Sequence, residues 1–264
     1  ALPWKRECPF IVGEYARERG AEVPARLISS AKSWLCNPRI DRKEAILPWN
    51  APAGAKKISP LEAQSEFLTH LRYAWNAKNA KAKLEDQQLI VTIPASFDAA
   101  ARDLTVEAAK QAGLAEVTLL EEPQAAFYAW ISQTKAPWRE QVKKGDVVLV
   151  VDVGGGTTDF SLIEVSEKDG DLQLERVAVG NHILLGGDNM DLTLAFQARQ
   201  KLEAAKKKVD TWQTMALSHA CRKAKENLLN NPGAKSEPIV ISGRGSSVVG
   251  GSLKTSLDRD EIEN

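Results

Sequence analysis

The stretch VVDVGGGTTDFSLIEV, Val150 to Val165, narrows what this chain can fold into more than any other. Two apolar runs that read as β-strands are separated by three consecutive glycines and two threonines, with Asp152 and Asp159 at the strand ends. A tight hairpin turn is normally made by a pair such as Asn-Gly or Gly-Gly, so a GGGTT loop is longer than a turn requires. Glycine backbone lets successive N–H groups face one side without a Cβ in the way, which forms a concave anion nest. Thr157 and Thr158 add hydroxyl donors. Carboxylates beside phosphate oxygens need a hard cation between them, and Mg²⁺ suits that role. Two other phosphate loops are excluded. No lysine follows Gly156 as GxxxxGK[ST] demands, and a dinucleotide fingerprint needs a glycine at Asp159 followed by a helix. The alternative for the segment is a hairpin without a ligand.

The 264 residues suffice for one large domain or two smaller ones. Thirty-five basic and 35 acidic residues balance to zero net charge, whereas a dedicated nucleic-acid binder carries a basic excess. No nucleic-acid partner is expected. Cys8, Cys36 and Cys221 are sparse and form no CxxC pair, so neither a disulfide framework nor a zinc site is indicated and a reducing, cytoplasmic location is expected. His70, His182 and His219 are scattered. No apolar run approaches the roughly 20 residues that cross a bilayer, and VVLVVDV reads as a buried strand, so no membrane partner is expected. The N-terminus lacks the pattern of a signal peptide. The absence of an initiator Met and the acidic helix starting at LDRDEIEN lead to the expectation that both ends are cut.

The first 45 or so residues read as short helices, GEYARERG and PARLISSAKSWLC. Ser59, Pro60 and Glu62 form a helix-start signal as N-cap, N1 and N3, ahead of an apolar stripe at Leu61, Phe67 or Leu68, Leu71 and Trp75. QQLIVTIP is a strand, Asp98 caps the next helix, and Gly113 ends it. VTLLEE is a strand, and Pro123 starts the helix PQAAFYAWIS, with Glu122 read as its N-cap. The polar stretch Gln133–Asp146 is the candidate crossover between lobes. Beyond TDFSLIEV come a turn at KDGD, the strand LQLERVAVG, helices near Asp188–Lys208 and Trp212–Leu229, and a hairpin from EPIVISG and SVVGGSLKTSL. Alternating strands and helices followed by hairpins imply an α/β chain with mixed sheets.

VVDVGGGTTDFSL closely resembles the second phosphate loop of the seventy-kilodalton heat-shock chaperone family (DnaK type), within the actin and sugar-kinase ATPase superfamily. Four further stretches occur in that family's order. IVTIPASFDAAARDLTVEAAKQAGL resembles its connecting segment, where Pro94 and Arg102 take the places implicated in interlobe signalling. LLEEPQAAFYAW resembles the Glu-Pro-x-Ala-Ala segment, with Glu122 as the glutamate that orients the attacking water or couples hydrolysis. LLGGDNMD supplies the later glycine pair, Gly186 and Gly187, and ACRKAKENLL the adenosine-side helix. The resemblance implies an actin-like ATPase fold of two lobes, 1–133 a partial first lobe with the connecting segment and 134–264 a second lobe, with N-terminal strands and C-terminal helices missing. It further implies ATP or ADP with Mg²⁺ and K⁺ as cofactors. Gly154, Gly155, Gly156, Thr157 and Thr158 would contact nucleotide, Asp152 would hold Mg²⁺ through water, and Asp159 would help bind potassium. The implied partners are unfolded client polypeptide, bound by a region outside this chain, a J-domain cochaperone and a nucleotide-exchange factor.

The pattern also departs from the family. Arg17 stands where the family has a catalytic lysine, and a planar guanidinium is no simple substitute for an ammonium; the alternative is a surface pair with Glu14 or Glu18. On the adenosine-side helix Arg222 replaces an acidic residue, Glu226 a basic one, and Leu229 a serine, while Lys225 is retained. Arg222 and Glu226 lie four apart and can pair on one helix face. Asp188 replaces a glutamate. The expected function is the incomplete nucleotide-binding domain of a divergent chaperone, binding nucleotide weakly and inactive alone. The competitors are a nucleotide sensor or scaffold with little hydrolysis and a small-molecule kinase of the same superfamily.

Overall fold

The computed structural model describes residues 2, 4, 10–49, 51, 53–134, 141–180, 183–243 and 251–263. The N-terminal part contains α1 (Glu14–Glu22), α2 (Ala31–Cys36) and α3 (Pro60–Lys78). Next come β1 (Ile90–Ile93), α4 (Ala99–Gln111), β2 (Thr118–Glu121) and α5 (Glu122–Gln133). Three strands follow, β3 (Val147–Val153), β4 (Thr158–Lys168) and β5 (Asp171–Val179). The chain continues with α6 (Gly187–Ala204), α7 (Thr211–Asn230), β6 (Ser236–Ser242), β7 (Ser252–Asp258) and α8 (Arg259–Glu263). The architecture is mixed α/β.

Local chemistry accounts for most of these boundaries. At α3, Ser59 Oγ accepts from the Glu62 N–H at 3.0 Å and the Ser59 N–H donates to Glu62 Oε2 at 2.7 Å, a complete capping box with Pro60 at N1. Asp98 Oδ1 accepts from the Ala101 N–H at 2.7 Å and starts α4, which Gly113 ends at φ 78°. Asp210 and Gln213 form a second box at α7. Asp169 and Gly170, both at positive φ (56° and 86°), close the β4–β5 hairpin.

The chain divides into two compact units, one of Ala1–Phe10 and Ile28–Leu184, the other of Ile11–Leu27 and Leu185–Asn264. In the first, β1 and β2 pair in parallel across the α4 crossover, and Leu61, Ile93, Phe97, Ala101 and Leu104 fill the core beneath α3 and α4. The antiparallel sheet β3–β4–β5 buries Ile163 and Val165 against Phe127 of α5, each such side chain contributing roughly 1.5–3 kcal/mol. The β4–β5 ladder slips once: Leu162 pairs with Ala178, but Ile163 pairs with Arg176, leaving Val177 as a bulge. In the second unit α6 and α7 pack on the β6–β7 hairpin around Leu202, Leu217, Leu228, Ile239 and Leu257, and α1 packs on α7.

Three expectations change. VVLVVDV is not buried on both faces: Val148 and Val150 turn toward the α5 core, while Val147, Leu149, Val151 and Val153 are 51–58% exposed. The α3 stripe buries Leu61 and Leu68, but Leu71 (57%) and Trp75 (43%) face solvent, because only the first half of this 19-residue helix is covered by α2 and α4. Glu122 is the first residue of α5 and not its cap; Glu121 holds the N-cap position. Residues 135–140 of the expected crossover Gln133–Asp146, and 247–250 of the expected last hairpin, lie outside the described residues.

Candidate functional site

The glycine loop joins β3 to β4, and the register sets its chemistry. Asp152 lies directly opposite Asp159 and Val153 opposite Thr158, so Gly154–Thr157 form the hairpin tip. Residues opposite each other in a ladder share one face, so both carboxylates occupy the same side of the sheet at the base of the loop. Asp159 is 5% exposed and accepts from Thr157 Oγ1 at 3.2 Å. Like charges placed opposite each other destabilise a ladder, and a cation or its hydration shell relieves that cost. The pair therefore fits a hard divalent ion held through water. Among the described residues no three His, Cys, Asp or Glu side chains cluster to ligate a metal directly.

The Gly154 N–H donates to Thr157 O at 2.8 Å and closes the tip. Neither Gly154 nor Gly156 adopts a positive φ, so backbone hand does not call for glycine at either position, and at Gly156 clearance does. At Gly156 a Cβ would stand 2.7 Å from Ser33 Oγ of α2. The same short helix sends Lys32 Nζ to Glu122 Oε1 at 2.5 Å. Thus α2 touches both the glycine loop and Glu122. Pro94 follows β1, and its carbonyl accepts from the Phe97 N–H at 3.1 Å. Arg102 is joined to Glu121, not Glu122: its Nη2 donates to Glu121 Oε1 at 2.7 Å.

The second unit holds a separate charge network. Gly186 precedes α6, and its N–H donates to Asn189 Oδ1 at 2.9 Å; Gly187 begins the helix. On α7, Arg222 Nε donates to Glu226 Oε1 at 3.1 Å, which is the four-residue pair expected from spacing. Arg222 Nη1 lies 3.3 Å from Asp188 Oδ1 and Nε 3.9 Å from Asp191 Oδ2. Arg17 Nη1 of α1 approaches the same Glu226 carboxylate at 3.7 Å, so its partner is neither Glu14 nor Glu18. These arginines are 38–49% exposed, which limits each pair to roughly 0–1 kcal/mol. Lys225 differs: its ammonium is nearly buried and meets the buried Asp191 Oδ1 at 2.6 Å, an ion pair poorly directed for a hydrogen bond. Burial pushes the Asp191 carboxyl above its ordinary value, and Lys225 opposes that shift. Leu229 is 54% exposed.

Cys36 and Cys221 are pushed up to about 12 by burial, so neither thiol is a nucleophile at neutral pH. Two shallow hollows, of about 360 and 420 Å³, are lined by no predicted site residue. No helix among the described residues is long and apolar enough to cross a membrane. Two features escaped the motif reading. Glu121 carries no signature beyond adjacency to Glu122, and Lys32 has none.

A family model described as Hsp70 protein matches residues 25–264. A "Chaperone protein HscA homolog" of Pseudoalteromonas atlantica is 34% identical over 206 residues, covering 73% of this chain and 30% of that protein. A "Chaperone protein DnaK" of Burkholderia cenocepacia is 27% identical over 242 residues, 83% of this chain and 35% of that protein. The chain spans about a third of the length of these curated relatives.

Proposed function

The chain belongs to the Hsp70 family, and on that premise we propose that it is a nucleotide-binding part of a heat-shock-type chaperone, in which ATP hydrolysis governs the hold on unfolded polypeptide. One observation carries the reading: Asp152 faces Asp159 across the β3–β4 ladder at the base of the Gly154–Thr157 tip. That tip offers backbone amides to phosphate oxygens, joined by the Thr157 hydroxyl once it turns from Asp159, and the facing carboxylates would hold a hydrated Mg²⁺. When bound, Mg²⁺ supplies charge neutralisation at the phosphates. Asp159 serves K⁺ as well. Thr158 and Gly155 flank the phosphates. Glu122 orients the attacking water, and its neighbour Lys32 sets the local charge. In the second unit, the resemblance gives Gly186, Gly187, Arg222, Lys225 and Glu226 the nucleoside-contacting roles. Pro94 and Arg102 relay the state of the site. Client polypeptide, a J-domain cochaperone and an exchange factor are the partners of this reading.

A second reading, a nucleotide sensor with little hydrolysis, is favoured by the Arg17–Glu226 pair, which engages the residue that the sequence resemblance sets at the family's catalytic lysine. Calorimetric titration with ADP, with and without Mg²⁺, tests the first claim on the wild type and on Asp152→Asn. Weak, Mg²⁺-dependent binding that the variant loses is expected. Binding indifferent to both Mg²⁺ and Asp152 would sink the phosphate-loop assignment. Single-turnover phosphate release then separates the two readings, since rapid release rules out the sensor.

A further inference from the structure

Two halves of the first unit are joined through a side chain that no motif marks. Glu121 ends β2, occupies the N-cap of α5, and is 9% exposed. Its Oε1 accepts from Arg102 Nη2 of α4 at 2.7 Å, and its Oε2 lies 2.7 Å from Arg176 Nε of β5. A carboxylate this buried persists only when it is paired, and here a guanidinium faces each oxygen. The second contact has no hydrogen-bond alignment and holds as an ion pair.

Arg176 reaches Glu121 because of the bulge at Val177. With unbroken alternation Arg176 would share a face with Ala178, the side on which Leu162 is exposed. The extra residue instead sets Arg176 opposite Ile163, on the face where Ile163, Val165 and Leu174 pack against Phe127 of α5. Re-aiming one side chain is a recurrent use of bulges. The same slip sets Leu174 opposite Val165, so one bulge seats a core leucine and brings the arginine inward together.

We propose that Glu121 is a positioning residue. Gripped by Arg102 from α4 and Arg176 from β5, it fixes the first turn of α5 and thereby the direction of the Glu122 carboxylate. It also ties the sheet bearing the glycine hairpin to α4. The catalytic half of this inference rests on the reading of Glu122 given above; the structural half does not.

The test uses Glu121→Gln, Arg176→Met, their double variant, and Arg176→Lys as the conservative control. Single-turnover phosphate release, Mg-ATP affinity, thermal unfolding, and hydrogen exchange at the amides of residues 124–126 are measured on each. Each single change is expected to slow release about tenfold, with affinity within about twofold. The double variant is expected to be no slower than the worse single, because both act through one contact. Arg176→Lys recovers most of the rate, and exchange at 124–126 quickens in both singles. If the wild type itself releases no phosphate, the hydrolysis reading fails alone, and the clamp is judged by exchange at 124–126. Unchanged exchange there, additive rate losses, or a lowered melting temperature with an unchanged rate would overturn the proposal.

Discussion

Lys225→Met distinguishes a nucleotide ligand from a structural brace. Asp191 is 3% exposed, and the Lys225 ammonium 2.6 Å away is its nearest compensating charge. Removing one partner of a buried pair costs about 3–5 kcal/mol, since the survivor keeps its desolvation penalty. Arg222 Nε remains 3.9 Å from the other Asp191 oxygen, so the lower end, about 3 kcal/mol, applies. For a chain of this size each kcal/mol shifts Tm by about 2–4 °C, giving a drop of roughly 6–12 °C at pH 7 without nucleotide. The pH dependence has a definite sign. Burial raises the folded pKa of Asp191 above its ordinary 3.8, so the folded state binds the extra proton. Stability from this group is fullest in acid and declines as pH rises through the folded pKa. Without Lys225 the folded pKa rises further, so the variant's deficit is largest at neutral pH and narrows toward about pH 4. Melting followed by circular dichroism, with urea titration alongside, measures it. Lys225→Met with Asp191→Leu should recover much of the loss, because neutral side chains of similar volume pack there without a stranded charge. A ligand-free deficit under about 0.5 kcal/mol would refute the brace and leave Lys225 available to a nucleotide.

Two further outcomes follow from the ion pairs and the half-buried histidine His219. Asp98 caps α4 and also accepts both Arg42 Nη1 (2.9 Å) and Nη2 (2.8 Å), so Asp98→Ala should cost about 2–3 kcal/mol in urea unfolding. The Arg42 hydrogen bonds hold the Asp98 carboxyl below 3.8, so its stabilisation is present above that pH and is lost as pH falls through the folded value; the gap to Asp98→Asn should close in acid. His219 is held below 6.5 first by burial and then by the Arg222 charge. Between pH 7 and the acid side of 6.5 the unfolded chain takes up a proton that the folded one refuses, so wild-type stability should fall more steeply than that of His219→Gln, by at most about 1.4 kcal/mol per pH unit. Parallel curves would remove His219 from the account.

Elements with local causes were legible in the sequence. Ser59 with Glu62 and Asp98 with Ala101 declare helix starts within four residues, and Asp169–Gly170 declares a turn. The glycine hairpin was legible for the same reason, since its chemistry lies within one short loop. What escaped depends on which distant surface arrives. Leu71 and Trp75 have helical spacing, but the short turn at Leu84–Asp86 that packs on that end of α3 leaves both side chains exposed. Val147 through Val153 form an unbroken apolar run, yet periodicity cannot say that only one face is packed. Glu121 and Glu122 are chemically identical in the sequence. Only a bulge fifty-odd residues downstream assigns the first to Arg176, and only α2 assigns the second to Lys32.

The membership of α1 in the second unit bears on synthesis. Arg17 meets Glu226 on a helix made about 200 residues later, and the rest of that unit begins only at Leu185. At about 5–20 residues per second, the nascent α1 waits on the order of ten seconds or more before α7 exists to receive it. Nine residues of polar composition are too few to sustain a helix alone, so the segment spends that interval as coil. The first unit is fully synthesised by Leu184 and does not include α1, so it can consolidate while α1 is still unpaired. Ribosome-stalled chains from which residues through Leu184 have emerged should therefore show an ordered β3–β4–β5 sheet beside a protease-sensitive stretch at Ile11–Leu27, and that sensitivity should vanish once Leu228 and the strand at Ser236–Ser242 have emerged.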